Sequence, residues 1–203
     1  MDEHTPYNRR LTQTEMEENA LIIARMLRAS GWTLEAIAGA LGNFEAECTL
    51  KPNDPERSTG FPTSSESRSH GFGLPQWTPW YNRYGAWCNA NGIAISATDA
   101  NPAGKIAPQL AYLEYECVYG YNGGKTWYNN HGYTYTWAEY KTSTDSPETL
   151  ATAFYWQYER SGANDPTTRP EKARAWYTFL GGQSLASLPI WLLFKLSQRG
   201  VKR

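Results

Sequence analysis

The chain has 203 residues and a formal net charge of −1. That length fits one domain with appendages, burying roughly 70% of the surface its unfolded chain exposes. The near-neutral balance gives no support for nucleic acid as a main partner, which leaves a basic footprint. Cys48, Cys88 and Cys117 are odd in number and form no CxxC, so neither a disulfide framework nor a zinc site is indicated. No metal and no cofactor is expected.

Residues 1–11 are polar, without the apolar core of a secretory signal, and read as an irregular arm. Thr12 or Thr14 caps a first helix with Glu15, Glu17 and Glu18 in its opening turn, where acids complement the dipole. Leu21, Ile22, Met26 and Leu27 follow, and Ser30-Gly31 ends it. After Trp32, Thr33 is a good N-cap for a second helix. Ile37, Leu41, Phe44 and Cys48 form its apolar stripe, at i, i+4, i+7 and i+11. At about 100° per residue, Glu45 and Glu47 flank that stripe on opposite edges, and the wheel does not choose between them. Gly39 and Gly42 each cost the helix roughly 1 kcal/mol relative to Ala, and a Gly inside a helix often marks close approach of another element. The helix ends before Pro52.

Residues 53–70 are rich in Asp, Ser, Thr, Pro and Glu and read as a surface loop. Gly71 to Pro79 is a turn or short strand. Residues 81–91 are helical. Asp99 or Asn101 starts a third long helix with Pro102 near its first position and Ile106, Leu110, Leu113 and Cys117 as its stripe. Residues 119–135 break the pattern, and Asn122-Gly123 signals a hairpin. A short helix covers 136–141. Ser146, Pro147 and Glu148 open a stronger helix to about Glu159. Residues 161–169 turn, and Pro170 opens a last helix to Leu180. From Leu185 the chain is apolar, then basic, and too short in its apolar run to span a bilayer. Docking this tail on a partner or on its own domain fits it better than lying on a membrane. The fold class is mainly α, with a small hairpin or loop region lining a cleft.

Nine Trp and 14 Tyr are more than a core of this size needs. Flat rings with polar edges suit sugar faces as well as packing.

The phrases Gly42-Asn43-Phe44-Glu45-Ala46-Glu47-Cys48-Thr49-Leu50-Lys51-Pro52 and Gly73-Leu74-Pro75-Gln76-Trp77-Thr78-Pro79 resemble those of the phage tail lysozyme family. Ser30-Gly31-Trp32-Thr33, Gln109-Leu110-Ala111-Tyr112-Leu113 and Tyr158-Glu159-Arg160 extend the likeness in the same order, over about residues 12–180, within a domain drawn at 12–182. The resemblance implies a lysozyme-like domain (α+β lysozyme-like) carried on a virion, cutting the glycan strands of bacterial peptidoglycan, and it leaves residues 183–203 as a tail that could dock phage tail proteins. It places the general acid on Glu47 and leaves Glu45 at a variable position. Cys48 stands where the family has Ser, Lys51 where it has Asn, and Pro75 where a small residue is usual.

The chemistry asks for a carboxylic acid that protonates the leaving oxygen, with its pKa raised by apolar neighbours. Phe44, Phe72 and Trp77 are the candidates for those neighbours. Gln76 suits an N-acetyl group or a water, Trp77 suits a sugar face, and Tyr158 and Glu159 suit the far side of the cleft. Each has a structural alternative in turn satisfaction, core packing or an ion pair. A second carboxylate would set the stereochemistry, and Glu45, Asp54, Glu66 and Glu159 are candidates of equal standing. Without one, the sugar's own 6-hydroxyl attacks and an anhydro product forms, as in a lytic transglycosylase. A third reading is a wall-binding tail protein with little catalysis.

Overall fold

Helix α1, Gln13–Ala29, starts where Thr12 and Glu15 exchange hydrogen bonds, the Glu15 N–H donating to Thr12 Oγ1 at 3.3 Å and the Thr12 N–H to Glu15 Oε2 at 2.8 Å. Two orphan N–H groups are thereby satisfied reciprocally. The computed structural model describes residues 2–56, 69–160, 166, 168–183 and 185. Helix α2, Leu34–Cys48, starts at Thr33, whose hydroxyl accepts the Ala36 N–H at 3.2 Å. A π-turn at Tyr81–Gly85 leads into α3, Ala86–Ala90, and a 3₁₀ turn at Pro102–Gly104 precedes α4, Ile106–Tyr119. Then come α5, Trp137–Thr142; α6, Pro147–Phe154, which widens into a second π-turn at Tyr155–Glu159; and α7, Arg169–Gly181. The architecture is mainly helical, as the sequence predicts. Among the described residues, β-structure is confined to isolated bridges: Pro55 with Phe72, Tyr121 with Gly124, and Asn130 with Tyr133.

Two compact units share the chain. Of the described residues, one unit takes those up to Ile23 and those from Glu47 to Leu113; the other takes Ala24–Ala46 and those from Glu114 to Leu185.

In the first unit the arm is irregular, as expected, yet it is built in. Glu3 Oε1 accepts the first N–H of α4, that of Ile106, at 3.0 Å, and the Asn53 amide donates to the Thr5 carbonyl at 3.2 Å. The expected start at Asp99 or Asn101 with Pro102 near the first position falls on the 3₁₀ turn, whose N-cap position is Asn101, and α4 itself begins at Ile106. The Asn101 amide instead donates to Asn53 Oδ1 at 3.0 Å. The stretch opening at Asn53 is no surface loop at its start, for Asn53 is fully buried; residues 57–68, with Glu66, lie outside the described residues. The core of this unit is aromatic. Trp77 stacks on Tyr84 at 4.7 Å and meets Tyr112 edge-on at 5.1 Å, while Phe72 packs on Trp80 at 5.1 Å. The Tyr84 hydroxyl donates to the Ala103 carbonyl at 2.8 Å.

In the second unit the two helix-interior glycines are explained. A Cβ on Gly39 would stand 3.0 Å from the backbone of Leu150 and Ala151 in α6. One on Gly42 would stand 2.6 Å from the Arg169 carbonyl oxygen and 2.8 Å from the Ala173 nitrogen in α7. These glycines let α6 and α7 reach the α2 backbone, and the packing outweighs the lost propensity. Trp32, Trp127, Trp137, Tyr140 and Phe154 fill the core around them. Glu114 accepts both the Trp32 and the Trp137 indole N–H at 2.8 Å, and Lys141 balances it at 3.0 Å. Burying the rings therefore strands no donor.

Residues 119–135, expected as a hairpin or an ordered loop of aromatics, hold two tight turns. Tyr121 and Gly124 exchange backbone hydrogen bonds at 2.9 Å across Asn122 and Gly123, both at positive φ, and Asn130 and Tyr133 do likewise across His131 and Gly132. Two central residues with φ above zero make the turn that Asn-Gly favours. All three cysteines are free. The tail beyond Leu185 and the turn at 161–165 lie outside the described residues.

Candidate active site

Glu47 is the penultimate residue of α2 and is half-buried. The helix stops just past it because Thr49 and Leu50 both adopt left-handed backbone, with φ of 54° and 55°. Leu50 is fully buried, and its carbonyl accepts the Asn19 amide at 3.0 Å. Non-glycine residues in this region are strained, and such strain persists only where the surroundings hold it.

What holds it is a set of bonds to the turn at Gly71–Trp77. The Cys48 thiol donates to the Leu74 carbonyl at 3.4 Å. Cys48, which stands where the resemblance has Ser, thus makes a hydrogen bond through its sulfur. Burial pushes this thiol well above its usual range, with Asp54 and Glu47 among the charges adding to the effect. The group stays a neutral donor. Gln109, 1% exposed, makes the second tie. Its Oε1 accepts the Leu74 N–H at 2.8 Å, and its Nε2 donates to the carbonyls of Pro52 at 2.6 Å and Ala103 at 3.1 Å. The chain just after the α2 C-terminus and the turn are therefore clamped by one amide.

Asp54 makes a third tie. Its carbonyl accepts the Gly73 N–H at 3.1 Å and the Gln76 amide at 2.9 Å. Its carboxylate meets Lys51 Nζ at 2.9 Å, and that ammonium also donates to the Tyr7 carbonyl at 3.2 Å. Burial raises the Asp54 carboxyl, and Lys51 pulls it back. Lys51, the departure from Asn, is itself buried and acts as a structural cation here.

The sequence-predicted residues divide by unit. Glu47, Phe72, Gln76 and Trp77 fall in the first. Phe72 is 0% exposed and Trp77 1%, so both rings build the core under the turn, and the expected sugar-stacking role of Trp77 gives way to packing. Gln76 is half-buried at φ 49°, and its Nε2 is spent on the Asp54 and Gly73 carbonyls. Turn satisfaction accounts for that donor.

Glu45, Tyr158 and Glu159 fall in the second unit. Glu45 is committed there. One oxygen pairs with Lys172, and the other accepts the Trp176 indole N–H at 2.8 Å. Phe44 is fully buried against Phe154. Tyr158 is 3% exposed and donates to Glu116 Oε2 at 2.7 Å, so its hydroxyl serves a buried carboxylate. Glu159 is half-buried and closes the π-turn before Arg160 at φ 50°. π-turns of this kind are frequent at functional sites.

Two structurally decisive residues carry weak sequence signals. Gln109 appears in the sequence as part of a recurring phrase with no role attached. Glu116 sits beside the apolar stripe of α4, and a charge at the edge of a stripe was its signal. Among the described residues, no group of three or more His, Cys, Asp or Glu could hold a metal ion, and no helix is long and apolar enough to cross a membrane.

A family model described as phage tail lysozyme matches residues 18–180. Over 183 residues the chain is 30% identical to Morphogenesis protein 1 of Bacillus phage B103, an alignment covering 90% of this chain. It covers 45% of that relative, so this chain spans about half its length.

Proposed function

Because the chain belongs to the phage tail lysozyme family, we propose that it cleaves the β-1,4 bond between N-acetylmuramic acid and N-acetylglucosamine in peptidoglycan, with Glu47 as general acid. The observation that carries this reading is the delivery of Glu47. Helix α2 presents it half-buried at its C-terminal end, and Cys48, its neighbour, is fastened to the Gly71–Trp77 turn. A half-buried acid on rigid backbone suits a general acid, which must be held in position. Glu45, two residues earlier, is occupied by Lys172 and Trp176 and holds α7 instead. The family and the phage relative support action on a virion, opening the wall locally.

A second reading uses the same acid. Glu45 and Asp54 are each held by a lysine, Lys172 and Lys51. A carboxylate held in this way is less available as nucleophile or base; if neither Glu159 nor Glu66 takes that part, the sugar's own 6-hydroxyl attacks and an anhydro product forms. The experiment is digestion of purified peptidoglycan by wild type, Glu47→Gln and Glu45→Gln, with mass spectrometry of the fragments. Expected are release by wild type and Glu45→Gln and loss of about 100-fold or more in Glu47→Gln. Reducing ends establish hydrolysis, and anhydro ends establish transglycosylation. Release by Glu47→Gln at the wild-type rate removes Glu47 from the mechanism.

A further inference from the structure

The second unit carries an exposed arrangement that the chemistry at Glu47 does not use. Along one edge the His131 imidazole lies on the Trp156 indole, with centroids 3.5 Å apart and planes 18° from parallel. Along another the Arg160 guanidinium lies over the Tyr128 ring, 4.4 Å from its centroid. His131 is exposed, Trp156 and Arg160 are half-buried, and Tyr128 is 39% exposed.

This surface is built rather than frayed. The Asn130 amide donates to the Trp156 carbonyl at 2.8 Å, and the Gln157 amide donates to the Tyr135 carbonyl at 2.8 Å. The Tyr128 N–H donates to the Gln157 carbonyl at 3.4 Å. Arg160 Nε donates to the Tyr158 carbonyl at 3.1 Å, which fixes the guanidinium over its ring. The loop at 127–135 is thus pinned along the π-turn Tyr155–Glu159. His131 holds its place at φ 47° inside the second tight turn.

The chemistry of the surface selects its ligand. A pyranose has one flat C–H face and a rim of hydroxyls. The two exposed rings, His131 and Tyr128, meet the face, and the N–H edges of His131 and Arg160 meet the rim. A duplex or single-stranded nucleic acid asks for a basic groove, which a chain of net charge −1 does not advertise.

We propose that Tyr128, His131, Trp156 and Arg160 form a binding site for an amino-sugar residue of the glycan strand. This rests on the reading of the chain as a peptidoglycan-cutting protein and assigns part of its substrate grip to a surface outside the acid's own turn. The test uses the full chain carrying Glu47→Gln, so that the polymer survives, sedimented with purified peptidoglycan. Adding Tyr128→Ala and His131→Ala is expected to weaken binding about tenfold, the size of two lost aromatic contacts. Tyr128→Phe alone is expected to stay within about twofold. Unchanged affinity in the double alanine variant overturns the site. So does an equal loss in Tyr128→Phe, which would assign binding to the hydroxyl. A measurement free of alanine variants runs beside it. The ring protons of Tyr128 and His131 are followed by NMR while a soluble N-acetylglucosamine trimer is added to the Glu47→Gln chain. Shifts at both rings are expected, and stationary resonances overturn the proposal. Fragment release by the wild type reports separately: its absence removes the catalytic reading, while sedimentation still decides the site.

Discussion

Replacing Gln109 with Leu keeps the volume and deletes the clamp. In the native chain this amide serves the Leu74 N–H and the carbonyls of Pro52 and Ala103. Ala103 loses least, since its carbonyl also accepts the Tyr84 hydroxyl at 2.8 Å. Two buried groups, the Leu74 N–H and the Pro52 carbonyl, are left unmatched. Each costs about 1–3 kcal/mol, so the two together cost about 2–6 kcal/mol. Leu recovers about 1 kcal/mol by burying apolar surface. The expected net loss is about 3 kcal/mol, a large share of a stability of typically 5–15 kcal/mol. Urea unfolding followed by near-UV circular dichroism reads it as a fall in midpoint at constant slope. The exposed Gln13→Ala, which gives up one surface hydrogen bond to Glu17, serves as control and is expected to stay within about 0.5 kcal/mol. A loss below about 1 kcal/mol in Gln109→Leu would refute the clamp. Muralytic activity is expected to fall with it even well below the unfolding midpoint, because the same amide orders the turn that Cys48 grips.

Gly42→Ala places a Cβ against α7 backbone that cannot yield. Overpacking of about 3 kcal/mol, set against about 1 kcal/mol of gained helix propensity, predicts a net loss of about 2 kcal/mol, and a stabilised variant in thermal melts would contradict the contact. Glu45→Gln loosens the pair with Lys172 and is expected to cost about 1 kcal/mol while activity stays within about twofold; a hundredfold loss of activity would make Glu45 part of the chemistry. Acid sensitivity has a named contributor in Glu15. Hydrogen bonds from Arg9 and then from the Thr12 backbone hold its carboxyl at about 2, below the ordinary 4.5. A depressed folded value means that the stabilisation is present above pH 4.5 and is lost as pH falls toward 2. The melting-temperature gap between wild type and Glu15→Gln is therefore expected to close over that window, and a gap constant from pH 6 to 2 would show that Glu15 has no part in it.

The sequence by itself determined the helices and several of their starts. Thr12, Thr33 and Ser146 cap where side-chain oxygens can meet backbone N–H groups two or three residues on, a matter of local geometry alone. It also determined the family, because ordered phrases over most of the chain survive without knowledge of contacts. Periodicity placed Ile37, Leu41, Phe44 and Cys48 on one buried face for the same local reason. It could not separate Glu45 from Glu47, since a helical wheel knows angle and not neighbours; Lys172 and Trp176, more than 120 residues away, make Glu45 structural. Nor could it tell a ring buried in the core from one left near the surface. Trp77 is spent on Tyr84 and Tyr112, while Trp156, unremarked in the sequence, lies half-buried beneath His131. The fate of an aromatic face, like that of the Gln109 amide, depends on which distant segments close over it, and only tertiary structure decides that.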